Sequence, residues 1–147
     1  MNDSLGKVID ILLVEDNPGD VRLAQEALKE SKIRNQLFIV DDGVEAMEFL
    51  HQKGKYASAP RPDLILLDLN LPRKSGREVL AEVKTAENLK RIPVVVMTVS
   101  RAEDDIMKCY NHHANCYVTK PLDFNRFMEV TKSIEEFWLT IVKLPPK

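Results

Sequence analysis

Three stretches of the chain are apolar at nearly every position: Ile9-Asp10-Ile11-Leu12-Leu13-Val14, Leu64-Ile65-Leu66-Leu67, and residues 92–97 with Pro93 near the start. A strand with one wet face alternates apolar and polar residues, whereas a strand covered on both faces reads as a continuous apolar run. These stretches therefore predict central strands of a parallel sheet lying between helical layers. Weaker runs at residues 36–40 and Cys116–Thr119 predict two more strands. Between the strands the period changes. Asn17 and Pro18 give a cap and first-turn signal, followed by Val21, Ala24 and Leu28 at helical spacing. Val44, Met47, Phe49 and Leu50 mark a second helix, and Val79, Leu80 and Val83 a third after Gly76. A fourth is expected at about residues 102–113. The last begins near Asp123 and carries Phe127, Val130, Thr131, Ile134, Phe137, Trp138 and Ile141 on one stripe. Five strands alternating with five helices predict a three-layer, doubly wound α/β fold with right-handed crossovers. Residues 53–62, with Gly54, Pro60 and Pro62, read as a long exposed loop.

Composition narrows the class. The 147 residues are expected to form one domain, 1–147, with a core at about 8–140, a tail at 141–147 and no output domain. A chain of this length buries roughly two-thirds of the surface its unfolded form exposes, so no disulfide or metal staple is required. The two cysteines, Cys109 and Cys116, lack a CxxC spacing, no signal peptide precedes them, and they read as reduced thiols of a cytoplasmic protein. No apolar run is long enough to cross a bilayer. The net charge of −2, with basic residues scattered apart from short clusters such as residues 29–34, argues against a nucleic-acid binder.

The chemistry lies at the strand ends. In an open parallel sheet, ligands bind at the carboxyl ends of the strands, near the point where strand order reverses. The residues there are Glu15 and Asp16, then Asp68, Thr98 and Lys120. Two like charges 4 Å apart repel by about 4 kcal/mol at an effective dielectric near 20. Three carboxylates at one edge are thus costly unless a cation joins them, and magnesium suits one or two carboxylates completed by waters and phosphate oxygens. The set looks built for a metal and a phosphoryl group. Asp68 is placed as the nucleophile toward phosphorus, Asp16 as a cation ligand, and Lys120 with the Thr98 hydroxyl as ligands for phosphoryl oxygens.

Taken together, Glu15-Asp16, Asp68-Leu69-Asn70-Leu71-Pro72, Gly76, Thr98 and Lys120-Pro121 resemble a two-component receiver domain over roughly residues 8–140. Each piece is weak alone, but the ordered set is specific. The resemblance implies a flavodoxin-like sheet of order 2-1-3-4-5 and a histidine kinase that phosphorylates Asp68 in a reaction the receiver itself catalyses. It implies magnesium, or manganese, held by Glu15, Asp16, Asp68 and the Asn70 backbone carbonyl. It also implies a cis peptide before Pro121, and Thr98 and Tyr117 as a switch pair. The stretch Ala59-Pro60-Arg61-Pro62-Asp63 through Pro72 is similar to regulators paired with cyanobacterial phytochrome kinases, as are Gly76-Arg77-Glu78-Val79-Leu80-Ala81-Glu82, Phe137-Trp138-Leu139 and Leu144-Pro145-Pro146. That similarity would make red and far-red light the upstream signal. Two positions depart from the family pattern. Glu15 stands where aspartate is usual, so it is expected to reach a metal through water. Val99 stands where a small residue is usual, so it is expected to narrow the approach to the phosphoryl group and slow self-dephosphorylation.

Other readings are weaker. Asp68 and Lys120 could each be ordinary surface charges, but not easily in this company. Tyr117 on a strand is also what core packing would give. His112 and His113 are adjacent and point apart, so they do not chelate one ion, and Cys116 reads as a small buried apolar residue. The last helix carries apolar residues outside its core stripe, and Phe124, Phe137, Trp138, Leu139, Val142 and Leu144 are expected to form a homodimer or partner face. The main rival function is a receiver-like adaptor that binds a protein without being phosphorylated; the intact Asp16, Asp68, Thr98, Lys120 set argues against it. A phosphatase or dehalogenase with an aspartate nucleophile needs a second aspartate two residues on, where this chain has Asn70. A dinucleotide site needs a glycine-rich first turn, and Glu15-Asp16-Asn17-Pro18 is its electrostatic opposite. Output is expected through a partner, either an unknown downstream protein bound by the phosphorylated chain or the next member of a phosphorelay.

Overall fold

A computed structural model of the chain describes residues 8–99, 116–120 and 123–136. In chain order the elements are β1 (Ile9–Val14), α1 (Pro18–Glu30), β2 (Asn35–Val40), α2 (Gly43–Leu50), a 3-10 turn (Gly54–Tyr56), β3 (Leu64–Leu67), α3 (Gly76–Thr85), β4 (Val94–Thr98), β5 (Cys116–Thr119) and α4 (Phe124–Glu136). The strands form one parallel sheet of order β2-β1-β3-β4-β5. The helix expected at residues 102–113 lies outside the described residues, as do Pro121 and the tail from Phe137 onward.

The continuous apolar runs serve two cores at once, because successive side chains of a strand point to opposite faces. Leu12, Val14, Ile65, Leu67, Val94 and Val96 face one core with Met47, Phe49, Val79, Leu80 and Val83 of α2 and α3. Ile9, Ile11, Leu13, Leu64, Leu66, Val95 and Met97 face the other with Ala24, Ala27 and Leu28 of α1 and Phe127 and Ile134 of α4. This is the three-layer arrangement that the runs predict. Each central strand is clamped on both sides, so its carboxyl end is a rigid mounting point.

Side chains at the helix starts fix where the helices begin. The carboxamide of Asn17 accepts from the Asp20 amide, Asp42 accepts from Glu45, and Ser75 accepts from Glu78, each satisfying an amide that the first turn leaves open. The segment 53–62 is less loose than its glycine and prolines suggest. Tyr56 turns back to pack against Phe49, with ring centroids 5.3 Å apart and planes tilted by 58°, and its hydroxyl donates to Glu45 Oε1 at 2.6 Å. Pro62 is buried, Tyr56, Ala59, Pro60 and Arg61 are half-buried, and the rest of the segment is exposed.

Candidate functional site

The sheet register brings the site together. The Asp68 amide donates to the Val14 carbonyl at 3.0 Å, which seats Asp68 beside the end of β1. The Lys120 amide donates to the Thr98 carbonyl at 2.8 Å, which seats Lys120 beside the end of β4. Glu15 is tied in turn to β2 through its amide and the Val40 carbonyl. Four strand ends thus deliver Glu15, Asp68, Thr98 and Lys120, all buried, with Asp16 exposed at the rim.

One ammonium serves several carboxylates. Lys120 Nζ lies 2.5 Å from Glu15 Oε1, 2.8 Å from Asp20 Oδ2 and 3.4 Å from Asp68 Oδ2. Burial works against the lysine charge, but the hydrogen bonds it donates to Asp20 and Glu15, with the attraction of Glu15 and Asp68, outweigh it and hold the ammonium above its ordinary pKa. Burial pushes the Glu15 carboxyl up to about 7; the Lys120 hydrogen bond opposes this, while repulsion from Asp68 adds to it. Both shifts favour proton uptake, Glu15's chiefly because it is buried and Lys120's because of its carboxylate partners, and the pocket holds more carboxylates than one ammonium balances.

That excess is the test of fit for a cation. Carboxylate oxygens of Glu15, Asp16 and Asp68 all lie within 4.8 Å of one another. Hard oxygen donors with uncompensated charge, partly open to solvent at Asp16, fit magnesium or manganese. A second acidic group, Asp41, Asp42 and Glu45, is also close enough to converge. Two of its three charges, those of Asp42 and Glu45, are already engaged. Asp42 caps α2 and takes two hydrogen bonds from Arg73, at 3.0 and 3.1 Å. Hydrogen bonds from Lys55 and Tyr56 hold Glu45 down to about 2.

Around Asp68 the loop is tightly built. The Asn70 amide donates to Asp68 Oδ1 at 3.0 Å, and the Asn70 carboxamide donates to Thr98 Oγ1 at 3.0 Å. Asn70 therefore reaches both the acceptor carboxylate and the β4 hydroxyl through groups other than the backbone carbonyl that the sequence nominates. A Cβ on Gly76 would stand 2.0 Å from the Asp68 carbonyl oxygen, so α3 begins in direct backbone contact with the site. Arg73, at φ +65°, reaches from the same loop to Asp42 at the start of α2.

Most of the expected residues converge: Glu15, Asp16, Asp68, Asn70, Thr98 and Lys120 share one pocket. Tyr117 lies on β5, but its side chain is outside the described residues. Of the expected partner face only Phe124 is described; it opens α4 and is exposed, whereas Phe137, Trp138, Leu139, Val142 and Leu144 lie outside. Val99 is 62% exposed directly after the fully buried Thr98. The residue that the sequence reading missed is Asp20. Its signal was present: it lies in the first turn of α1, one helical turn after Asp16.

Residues 11–132 match the response regulator receiver domain family. The chain is 53% identical over 145 residues to the response regulator Rcp1 of Synechocystis sp. (strain ATCC 27184 / PCC 6803 / Kazusa), covering 99% of each chain. It is similar to the crystal structure of the phosphorylated cyanobacterial phytochrome response regulator RcpA, with a TM-score of 0.87, 54% identity, and 95% and 100% of the two chains covered. It is similar also to the Mn2+-bound form of Rcp1, with a TM-score of 0.85, 54% identity, and 94% and 99% covered.

Proposed function

The chain belongs to the response regulator receiver family, and from that membership we propose that Asp68 accepts a phosphoryl group from a phytochrome-class histidine kinase. The observation that carries this reading is the meeting of the Glu15, Asp16 and Asp68 carboxylates with Lys120 Nζ 3.4 Å from Asp68. In the transfer, an Asp68 carboxylate oxygen attacks phosphorus, the phosphorus–nitrogen bond to the kinase imidazole breaks, and the imidazole leaves with a proton from solvent. Glu15, Asp16 and Asp68, with the Asn70 backbone carbonyl, would hold magnesium or manganese, which when bound neutralises charge on the phosphoryl oxygens. Lys120 donates to a phosphoryl oxygen. The Thr98 hydroxyl leaves Asn70 and turns to another, and Tyr117 follows it inward. The chain thereby catalyses its own phosphorylation and dephosphorylation without turning over a separate substrate.

The resulting dianion is contacted by Lys120 and Thr98 in only one arrangement of their loops, so phosphorylation acts as a population shift. We place the protein in the cytoplasm because its two cysteines lack the CxxC spacing of a redox or metal motif; separately, no helix among the described residues is long and apolar enough to cross a membrane. A homodimer through the last helix is supported by the exposed Phe124; ending the chain after Phe137 should lower the mass measured by light scattering, and an unchanged mass would exclude it. The central test is intact mass after incubation with acetyl phosphate, with and without magnesium, on wild type and Asp68→Asn. One phosphoryl group is expected, dependent on magnesium, labile to alkali and lost in the variant. No gain from either acetyl phosphate or a kinase would leave a binding adaptor instead.

A further inference from the structure

A lysine ammonium carries three N–H donors, and in this structure all three are directed at carboxylates: Glu15 at 2.5 Å, Asp20 at 2.8 Å and Asp68 at 3.4 Å. The first two are charge-assisted bonds of ordinary or short length; the contact to Asp68 is long for that class. The ammonium therefore sits nearer to the β1 end and α1 than to the phosphoacceptor. Asp20 is fixed in this role. Pro18 sets the first turn of α1, the Asp20 amide is held by the Asn17 carboxamide at 3.0 Å, and the side chain crosses the mouth of the pocket to Lys120.

We propose that Asp20 is a positioning residue that restrains Lys120 from the phosphoryl group, so that phosphorylation of Asp68 must draw the ammonium away from Asp20. The inference rests on the reading of Asp68 as phosphoacceptor. To donate fully to a phosphoryl oxygen, Lys120 must weaken one of its present bonds. Glu15 is 2% exposed and has little access to water that would replace the ammonium. The Asp20 side chain is 32% exposed, so solvent takes over its bond at the smallest cost. Asp20 is thus the exchangeable partner, and its charge sets how readily the pocket closes on the phosphoryl group.

The test is titration of the full chain with beryllofluoride, a phosphoryl analogue, at saturating magnesium, followed by NMR. Asp20→Asn should bind about threefold to tenfold more tightly than wild type, the effect of weakening one partly solvated charge-assisted bond, and Asp20→Glu should return toward wild type. In a Lys120→Ala background Asp20→Asn should change nothing, because the restraint acts through the ammonium. Magnesium affinity without beryllofluoride should not rise in Asp20→Asn, since a nearby negative charge has been removed. Unchanged or weaker beryllofluoride binding by Asp20→Asn would overturn the proposal, as would an equal gain without Lys120. If Lys120→Ala does not fold, the Lys120 Nζ resonance of 15N-lysine-labelled protein gives the same answer: Asp20→Asn must shift it, and an unmoved resonance overturns the proposal. Failure of the wild type to bind beryllofluoride at saturating magnesium would instead overturn the phosphoacceptor reading and this inference with it.

Discussion

Replacing Gly76 by alanine sets two opposite effects against each other at the edge of the site. Gly76 is the first residue of α3, and a helix favours alanine over glycine by up to about 1 kcal/mol. Sterics point the other way. The new Cβ would stand 2.0 Å from the Asp68 carbonyl oxygen and 2.6 Å from the Leu69 Cα. Both are backbone atoms on a segment pinned by the hydrogen bond from the Gly76 amide to the Leu69 carbonyl at 2.9 Å, so neither swings aside as a side chain would. Relief requires roughly an ångström of backbone movement, and overpacking of this kind costs about 1–3 kcal/mol, sometimes more. Sterics win, with a net loss of about 2 kcal/mol. In urea that lowers the unfolding midpoint by about 1 M. Because the displaced carbonyl belongs to Asp68, phosphorylation by acetyl phosphate should fall further than stability alone explains. Two glycines serve as controls. Gly19→Ala meets the Asn17 carboxamide oxygen at 3.2 Å, the oxygen that caps α1, and should cost less than Gly76→Ala because a side chain yields more readily than backbone. Gly54→Ala meets no atom within 4 Å but has φ +57°, and should cost about 1 kcal/mol of backbone strain without touching phosphorylation. A Gly76→Ala protein that unfolds with the wild type and phosphorylates normally would refute the reasoning.

Removing the Asp42 carboxylate takes away the α2 cap and the partner of Arg73; with Arg73 more than half exposed, Asp42→Ala should cost about 1–2 kcal/mol, mostly from the cap, and a change under about 0.5 kcal/mol in urea unfolding would contradict this. The raised Glu15 pKa predicts a pH dependence of the metal-free protein. The folded state holds the proton up to about 7 and the unfolded state only to 4.5, so the contribution is complete below 4.5 and is lost as pH rises through 7. At about 1.4 kcal/mol per unit the loss is up to about 3 kcal/mol; Glu15→Gln should flatten it, and parallel pH profiles for the two proteins would count against the assignment. Val99→Ala should shed the phosphoryl label several-fold faster than wild type, since Val99 stands exposed beside the buried Thr98; equal rates would show that Val99 does not shield the group.

The fold was legible because the apolar runs of β1, β3 and β4 are long, branched and bounded by acidic or polar residues, leaving little besides a buried parallel strand. The strand-end residues followed at once, since parallel topology delivers every carboxyl end to one edge. What stayed hidden depends on side-chain reach. Asp20 looks like an ordinary first-turn acid, and only the path of Lys120 across the sheet shows that it joins the pocket. The Arg73 to Asp42 tie joins residues 31 apart through a positive-φ position that no periodicity marks. The segment 53–62 looked like open loop because a lone tyrosine gives no period, yet Tyr56 closes it against Phe49 and Glu45.

These hidden contacts bear on how a small chemical change acts at a distance. Glu15, Asp16, Asp20 and Asp68 stand against the one Lys120 ammonium, and burial with the repulsion of Asp68 raises the Glu15 carboxyl to about 7. A divalent cation would relieve that excess, and a phosphoryl dianion on Asp68 would add to it again. Lys120 is the mobile charge that follows, moving away from α1 toward the phosphoryl group. On the other side, the loop after Asp68 is welded to α3 by the Gly76 contact and to α2 by Gly43, whose Cβ would stand 2.0 Å from the Lys74 carbonyl oxygen, and by Arg73. One side of the acceptor is therefore rigid, and the other ends in a lysine with an exchangeable partner. On the proposed reading a change at Asp68 is passed to Lys120, because that is the side on which a bond can be exchanged rather than broken.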